Sequence, residues 1–235
     1  MNEHVYKQFD SDLDAIRACV TRMGSLVEEQ VRNALDAFDA GDRELLELAI
    51  ARDCDTDEME VAIDDACTRI LARRQPTAVD LRAVMAVGKT VTDLERIGDE
   101  AKKIAKATRK ILERESRSRT THLAEVRHMG ERAAAMLEAV LDAYVRLDAV
   151  AATSVMRQDG VIDDHFRAIA RQLVSYMMED LHTISSALDI ILIAKSIERI
   201  GDHCKNIAED VIYVVKGPEV RQMSIEGSAR ESLCE

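Results

Sequence analysis

One acidic pentapeptide, Glu-Arg-Ile-Gly-Asp, occurs twice in the chain, at 95–99 and again at 198–202. Its Glu and Asp are four residues apart, so on a helix their carboxylates are neighbours on one face. Like charges at this spacing destabilise a helix by about 0.2–0.5 kcal/mol, and a bound cation would remove that cost. The candidate metal ligands are therefore Glu95 with Asp99, and Glu198 with Asp202.

Each pentapeptide has a second acidic pair upstream with the same spacing, Asp53 with Asp57 and Asp159 with Asp163. If the upstream pair faces the downstream pair, each half of the chain presents four carboxylates to one place. Such an oxygen-only donor set suits magnesium, manganese, calcium or iron better than zinc. Because carboxylates can bridge ions, one set could hold more than one.

Two lysines keep a simpler interpretation open. Lys102 and Lys205 each lie three residues after the Asp of their pentapeptide, and could form an ordinary ion-paired helix edge. The glycines of the pentapeptides, Gly98 and Gly201, each cost a helix interior about 0.5–1 kcal/mol relative to alanine. We expect the close approach of a neighbouring helix to explain these glycines.

A helical wheel defines the surroundings of the first pair. The acids Glu95 and Asp99 fall at the edge of an apolar face, while Arg96, Glu100 and Lys103 point away from it. The same wheel places His203 in the second copy on the surface. The apolar face, which we expect to fill a bundle core, consists of Val87, Val91, Leu94, Ile97, Ala101, Ile104 and Ala105.

The pentapeptides belong to a longer internal repeat. Segments 94–105 and 197–208 share eight of twelve residues at an offset of 103, and upstream segments match at an offset of 106. Only two prolines and nine glycines occur in 235 residues, which favours long helices. Turn signals at 40–42, 75–77, 147–148 and 179–180 divide each half into three helices.

The sequence therefore predicts an all-α protein of two tandem three-helix bundles related by internal duplication. We expect the first bundle at 1–116, the second at 117–217 and a flexible C-terminal tail at 218–235. The net charge of −12 excludes attraction of nucleic acid by the overall field. No segment approaches the roughly 20 apolar residues that span a bilayer, and five scattered cysteines favour a reduced, cytoplasmic protein.

The sequence resembles the PhoU family, the accessory regulators of bacterial phosphate uptake. The resemblance runs nearly end to end and rests on the two pentapeptides, on Arg74-Gln75-Pro76 followed by Asp80-Leu81-Arg82, and on the segment 206–213. It implies multinuclear clusters of divalent or trivalent metal ions on the bundle surface, with iron, manganese, magnesium or zinc as candidates. The ligands carried over are the pentapeptide acids, and the upstream aspartates are looser matches.

The resemblance also implies a function. A member of this family is a cytoplasmic, non-enzymatic regulator that restrains the phosphate transporter and signals phosphate sufficiency to a sensor histidine kinase. The implied partners are the ATP-binding subunit of the transporter and that phosphate-sensing kinase, and homodimers are common. No glycine-rich phosphate loop or nucleophile elbow is present, so we do not expect the bare protein to bind phosphate directly.

An alternative from another class is a metal-dependent enzyme of the di-iron bundle type. Glu125 with His128, and Glu179 with His182, have the Glu-x-x-His spacing of such sites. Both pairs lie in the second half and near helix ends. A di-iron bundle needs them to project into the middle of a four-helix core.

Overall fold

The computed structural model describes residues 2–74, 76, 78–114 and 123–217, and these ranges form six α-helices and a short 3₁₀ turn, without a strand. The predicted all-α class is confirmed. The junction at 115–122 and the tail at 218–235 lie outside the described residues, so the bundle boundaries and the flexible tail stay predictions. The helices are α1 (Asn2–Ala40), α2 (Arg43–Arg74), α3 (Ala78–Glu113), α4 (Leu123–Arg146), α5 (Ala149–Glu179) and α6 (Ile184–Lys216), with the 3₁₀ turn at Leu181–Thr183.

The first turn of each half is built in the same way. Asp42 caps α2 by accepting the backbone N–H of Glu44 at 2.8 Å, and Asp148 caps α5 by accepting that of Val150 at 2.9 Å. These caps are 106 residues apart, as are the residues that precede them in left-handed conformation, Gly41 (φ 71°) and Leu147 (φ 50°). Interactions between residues close in sequence therefore determine where these two predicted turns fall.

The three helices of each half pack on one another, and the apolar face predicted for α3 fills the core. All seven of its residues, from Val87 to Ala105, are buried. The buried residues of both halves join in one continuous cluster of aliphatic side chains. Burial of this kind contributes about 25 cal/mol per Å² of apolar surface removed from water, and supplies most of the stabilisation.

The two halves also pack against each other, α3 against α6 and α1 against α4. Contacts of Lys89 with Asp210 and of Glu100 with Arg199 run in opposite order along α3 and α6, so these helices are antiparallel. Within the described ranges, no helix is long and apolar enough to cross a membrane.

The contact between the halves makes two predictions of the wheel wrong. Glu100 does not point into solvent: it is 2% exposed and lies 2.7 Å from Arg199 across the α3–α6 contact. His203 is not on the surface either, because it is 7% exposed and its Nδ1 lies 2.8 Å from Asp93 Oδ1. A wheel for one three-helix bundle leaves the outer face of α3 free, whereas α6 covers it here.

Candidate metal centres

In the second half, three predicted ligands converge. Asp159 and Asp163 on α5 and Asp202 on α6 each offer one carboxylate oxygen, and these three oxygens all lie within 4.8 Å of one another. Oxygens that share one hard cation at about 2.0–2.6 Å are at most about 5 Å apart, so the trio fits a single ion as it stands. The donor set is the carboxylate-only one that the sequence predicts.

The fourth predicted ligand of this half, Glu198, belongs to the same group electrostatically. Burial is the first cause that raises the pKa of Asp202, and the charges of Glu198, Asp159 and Asp163 raise it further. The pKa of Asp163 is also raised, by burial, Asp159 and Glu198. The charged forms of Asp163 and Asp202 are therefore destabilised by burial and by neighbouring acids, and a cation would reverse that.

The first half brings its acids together less tightly. Within the described ranges, only the second-half trio has three ligand oxygens so close. Burial raises the pKa of Glu95, and the charges of Asp99, Glu60 and Asp57 raise it further. Asp57 is exposed and the Asp99 side chain is 42% exposed, so both can turn towards an ion. A metal ion shared by the acids of this half would require rotation of these side chains.

One acid of the first cluster, Glu60, is not among the ligands predicted from the sequence. Its pKa is raised by burial and by Asp64 and Asp57, and Thr92 Oγ1 donates to it at 3.4 Å. The available signal was helical spacing, because Glu60 lies one turn beyond Asp57 on α2. Comparison of the two repeats does not reveal Glu60 as a candidate, because the matching residue in the second half is Phe166.

The lysines pair differently from the simple interpretation. Lys102 contacts Asp53 on α2, and its Nζ lies farther, at 3.9 Å, from Asp99 on its own helix. In the second half Lys205 Nζ lies 2.7 Å from Asp159 Oδ2 on α5. These hydrogen bonds are the first cause that raises the pKa of each lysine. Each lysine side chain therefore forms an ion pair between two helices beside its acidic cluster.

Both pentapeptide glycines lie where another helix comes close, as predicted. A Cβ on Gly98 would lie 3.0 Å from Gln30 Oε1, and one on Gly201 would lie 3.2 Å from Ile162 Cδ1. The same Gly201 Cβ would be 3.6 Å from Asp159 Oδ1. The missing side chain thus lets α5 bring its buried carboxylate beside α6.

The Glu-x-x-His pairs do not form a central site. Glu125, His128, Glu179 and His182 are all exposed, and His182 lies on the 3₁₀ turn rather than on the helix of Glu179. A di-iron centre needs such pairs inside a four-helix core. The geometry therefore speaks against the di-iron alternative.

Comparison with known proteins agrees with the duplicated fold. The family model of the PhoU domain matches residues 20–108 and again 126–211. The phosphate-specific transport system accessory protein PhoU of Serratia marcescens is 46% identical over 233 residues, covering 99% of this chain and 94% of that protein.

Two solved structures share the architecture. The crystal structure of PhoU from Pseudomonas aeruginosa has a TM-score of 0.87 and 44% identity, covering 89% of this chain and 100% of the other. The structure of the phosphate transport system regulatory protein PhoU from Streptococcus pneumoniae has a TM-score of 0.81 at 30% identity, covering 89% of this chain and 98% of the other. With two domain matches and relatives alike over nearly the whole length, this chain belongs to the PhoU family.

Proposed function

We propose that this protein is a negative regulator of phosphate uptake and of phosphate-starvation signalling, without catalytic activity of its own. The observation that carries the proposal is the near full-length similarity to accessory proteins of the phosphate transport system. The placement of the Glu-x-x-His pairs on the surface supports it against the enzyme alternative.

The regulator would act in the cytoplasm as a homodimeric adaptor. One partner is the ATP-binding subunit of the phosphate transporter, and the other is the phosphate-sensing histidine kinase. Deleting the gene should derepress phosphate-starvation genes in phosphate-rich medium, and the tagged protein should capture both partners from cells. Unchanged repression together with capture of neither partner would refute the adaptor function.

The two acidic clusters would hold the metal ions of this regulator, with iron, manganese, magnesium or zinc as candidates. A bound ion supplies positive charge between carboxylates that otherwise repel. It would also cross-link α5 to α6 through Asp159, Asp163 and Asp202, and α2 to α3 in the first half. Carboxylates bridge well, so a multinuclear cluster can form on either set.

A quadruple variant tests this assignment. Replacing Glu95, Asp99, Glu198 and Asp202 by alanine should abolish metal retained after purification without chelator, measured by elemental analysis, and abolish the rise in Tm on adding Mn²⁺. A matched control replaces four exposed acids of the same net charge, Glu44, Asp65, Glu125 and Glu179. Loss of metal from the control alone would overturn the site and revive the di-iron alternative.

A further inference from the structure

The two acidic sites differ in charge at two positions that the repeat makes equivalent. At the offset of 106, Glu60 in the first half corresponds to Phe166 in the second. At the offset of 103, Thr92 corresponds to Lys195. Both sites otherwise contain four predicted acidic ligands and one lysine that bridges the helices. Each also has one further cation at its edge, Lys103 at 3.9 Å from Asp99 in the first half and Arg167 at 4.0 Å from Asp163 in the second, and these two offset one another. The exchanges therefore make the first site more negative by two charges.

In the first half, the two exchanged residues contact each other. Glu60 is half-buried on α2, and its Oε1 lies 3.4 Å from Thr92 Oγ1 on α3, a hydroxyl that also lies 3.2 Å from the carbonyl oxygen of Gly88. Its charge is one of the causes that raise the pKa of Glu95. The first site thus has an additional carboxylate whose neighbour at this position is a neutral hydroxyl group, which does not cancel its charge.

In the second half, the same place holds a cation. Lys195 contacts Glu198 on its own helix, and its Nζ lies 5.3 Å from the centroid of the Phe166 ring. The aromatic face favours an ammonium at that distance. The Glu198 side chain is only 13% exposed and is in contact with this ammonium. An ion that uses Glu198 must first displace this ammonium.

We propose that the two sites bind cations with unequal affinity, the first-half site loading first, and that the exchanges Glu60 for Phe166 and Thr92 for Lys195 set the difference. The inference rests on the proposed metal function. One missing carboxylate and one added ammonium weaken the attraction for a divalent ion wherever it sits in the second cluster. The protein would therefore carry one retained ion site and one site that responds to the ion concentration.

Preorganisation acts in the opposite direction. The oxygens of the second-half trio already lie within 4.8 Å of one another, whereas Asp57 and Asp99 must turn. Asp57 is exposed and the Asp99 side chain is 42% exposed, so turning them requires a change of rotamer and, for Asp99, loss of its contacts at 3.9 Å with Lys102 and Lys103. The convergence of the trio also has its own cause, because Lys195 and Lys205 neutralise part of the repulsion between the acids there. We expect the two-charge difference to exceed the cost of turning Asp57 and Asp99.

Titration of the full-length, metal-free protein with Mn²⁺ by calorimetry tests the proposal. The wild type should show a tight and a weak class of sites. Glu95→Ala with Asp99→Ala should remove the tight class, and Glu198→Ala with Asp202→Ala the weak one. Lys195→Thr should tighten the weak class by about tenfold, and Thr92→Lys should weaken the tight class by a similar factor. Lys106→Thr, which removes an exposed lysine from α3, is the charge-matched control.

Each outcome tests either the proposed metal function or the proposed difference in affinity between the two sites. Absence of Mn²⁺ binding by the wild type overturns the proposed metal function itself. Binding in two equal classes, removal of the weak class by Glu95→Ala with Asp99→Ala, or an unchanged weak class in Lys195→Thr overturns the inference alone. Lys195→Met keeps the aliphatic stem against Phe166, so it replaces Lys195→Thr if that variant unfolds.

Discussion

Gln30 offers a sharp test of what holds the first bundle together. It lies on α1 with a fully buried side chain, and its Nε2 donates to the carbonyl oxygens of Ala49 at 2.9 Å and of Gly98 at 3.2 Å. Its Oε1 is buried and has no partner among the residues that the structure describes. The equivalent residue of the second half, Met136, is also fully buried. Gln30→Met therefore places the second-half side chain into the first half.

The individual free-energy contributions determine whether Gln30→Met stabilises or destabilises the protein. Loss of the two hydrogen bonds costs about 2 kcal/mol, at about 1 kcal/mol each, and leaves carbonyls that still accept their own helical N–H groups. Removal of the buried, unpartnered oxygen stabilises the folded state by about 1–3 kcal/mol. Burial of the methionine side chain, which has similar volume, adds about 1 kcal/mol. The variant should be more stable by about 1 kcal/mol, which raises Tm by about 2–4 °C in a chain of this size.

Urea unfolding of the metal-free protein, followed by circular dichroism, measures this change as a shift of midpoint at constant slope. Gln30→Ala is the control, because it removes the same amide but leaves a cavity, and should destabilise by about 2–4 kcal/mol. If Gln30→Met lowers the free energy of unfolding by 1 kcal/mol or more, the reasoning is refuted. The amide would then be fully satisfied and a net stabiliser of the α1–α2–α3 contact.

Two further predictions concern charge and packing. Because burial and neighbouring acids raise the pKa of Asp202 in the folded state, its stabilising contribution is lost as pH rises through that pKa. Asp202→Asn should therefore raise the Tm of the metal-free protein by an amount that grows as the pH rises above about 4, the ordinary pKa of an aspartate; a constant difference would contradict this. A Cβ on Gly130 would lie 2.6 Å from Leu35 Cδ2, as one on Gly24 would from Leu141 Cδ2. Gly130→Ala gains about 0.5–1 kcal/mol as a helix former but must displace Leu35 at a cost of about 1–3 kcal/mol, so it should lower stability in urea unfolding. In a Leu35→Ala background the same substitution should stabilise by about 0.5–1 kcal/mol, and equal effects in both backgrounds would contradict this.

The sequence alone determined the local features of the protein. The caps at Asp42 and Asp148 and the apolar stripe of α3 depend on residues within one or two turns, so spacing predicts them. The duplication likewise needs only comparison of the chain with itself. Helical spacing likewise predicted the acidic pairs. The repeated Glu-Arg-Ile-Gly-Asp segment resembles the PhoU family and so indicated the family.

Only the tertiary structure decided which surfaces meet. α6 covers the outer face of α3, which buries Glu100 and His203 against the expectation from a single bundle. The same packing between helices turns Lys102 towards Asp53 and adds Glu60 to the first cluster. A helical wheel gives the direction of each side chain but not the neighbour it meets, because that depends on how whole helices pack. The charge of each acidic site is thus a property of two helices together, and neither helix alone reveals it.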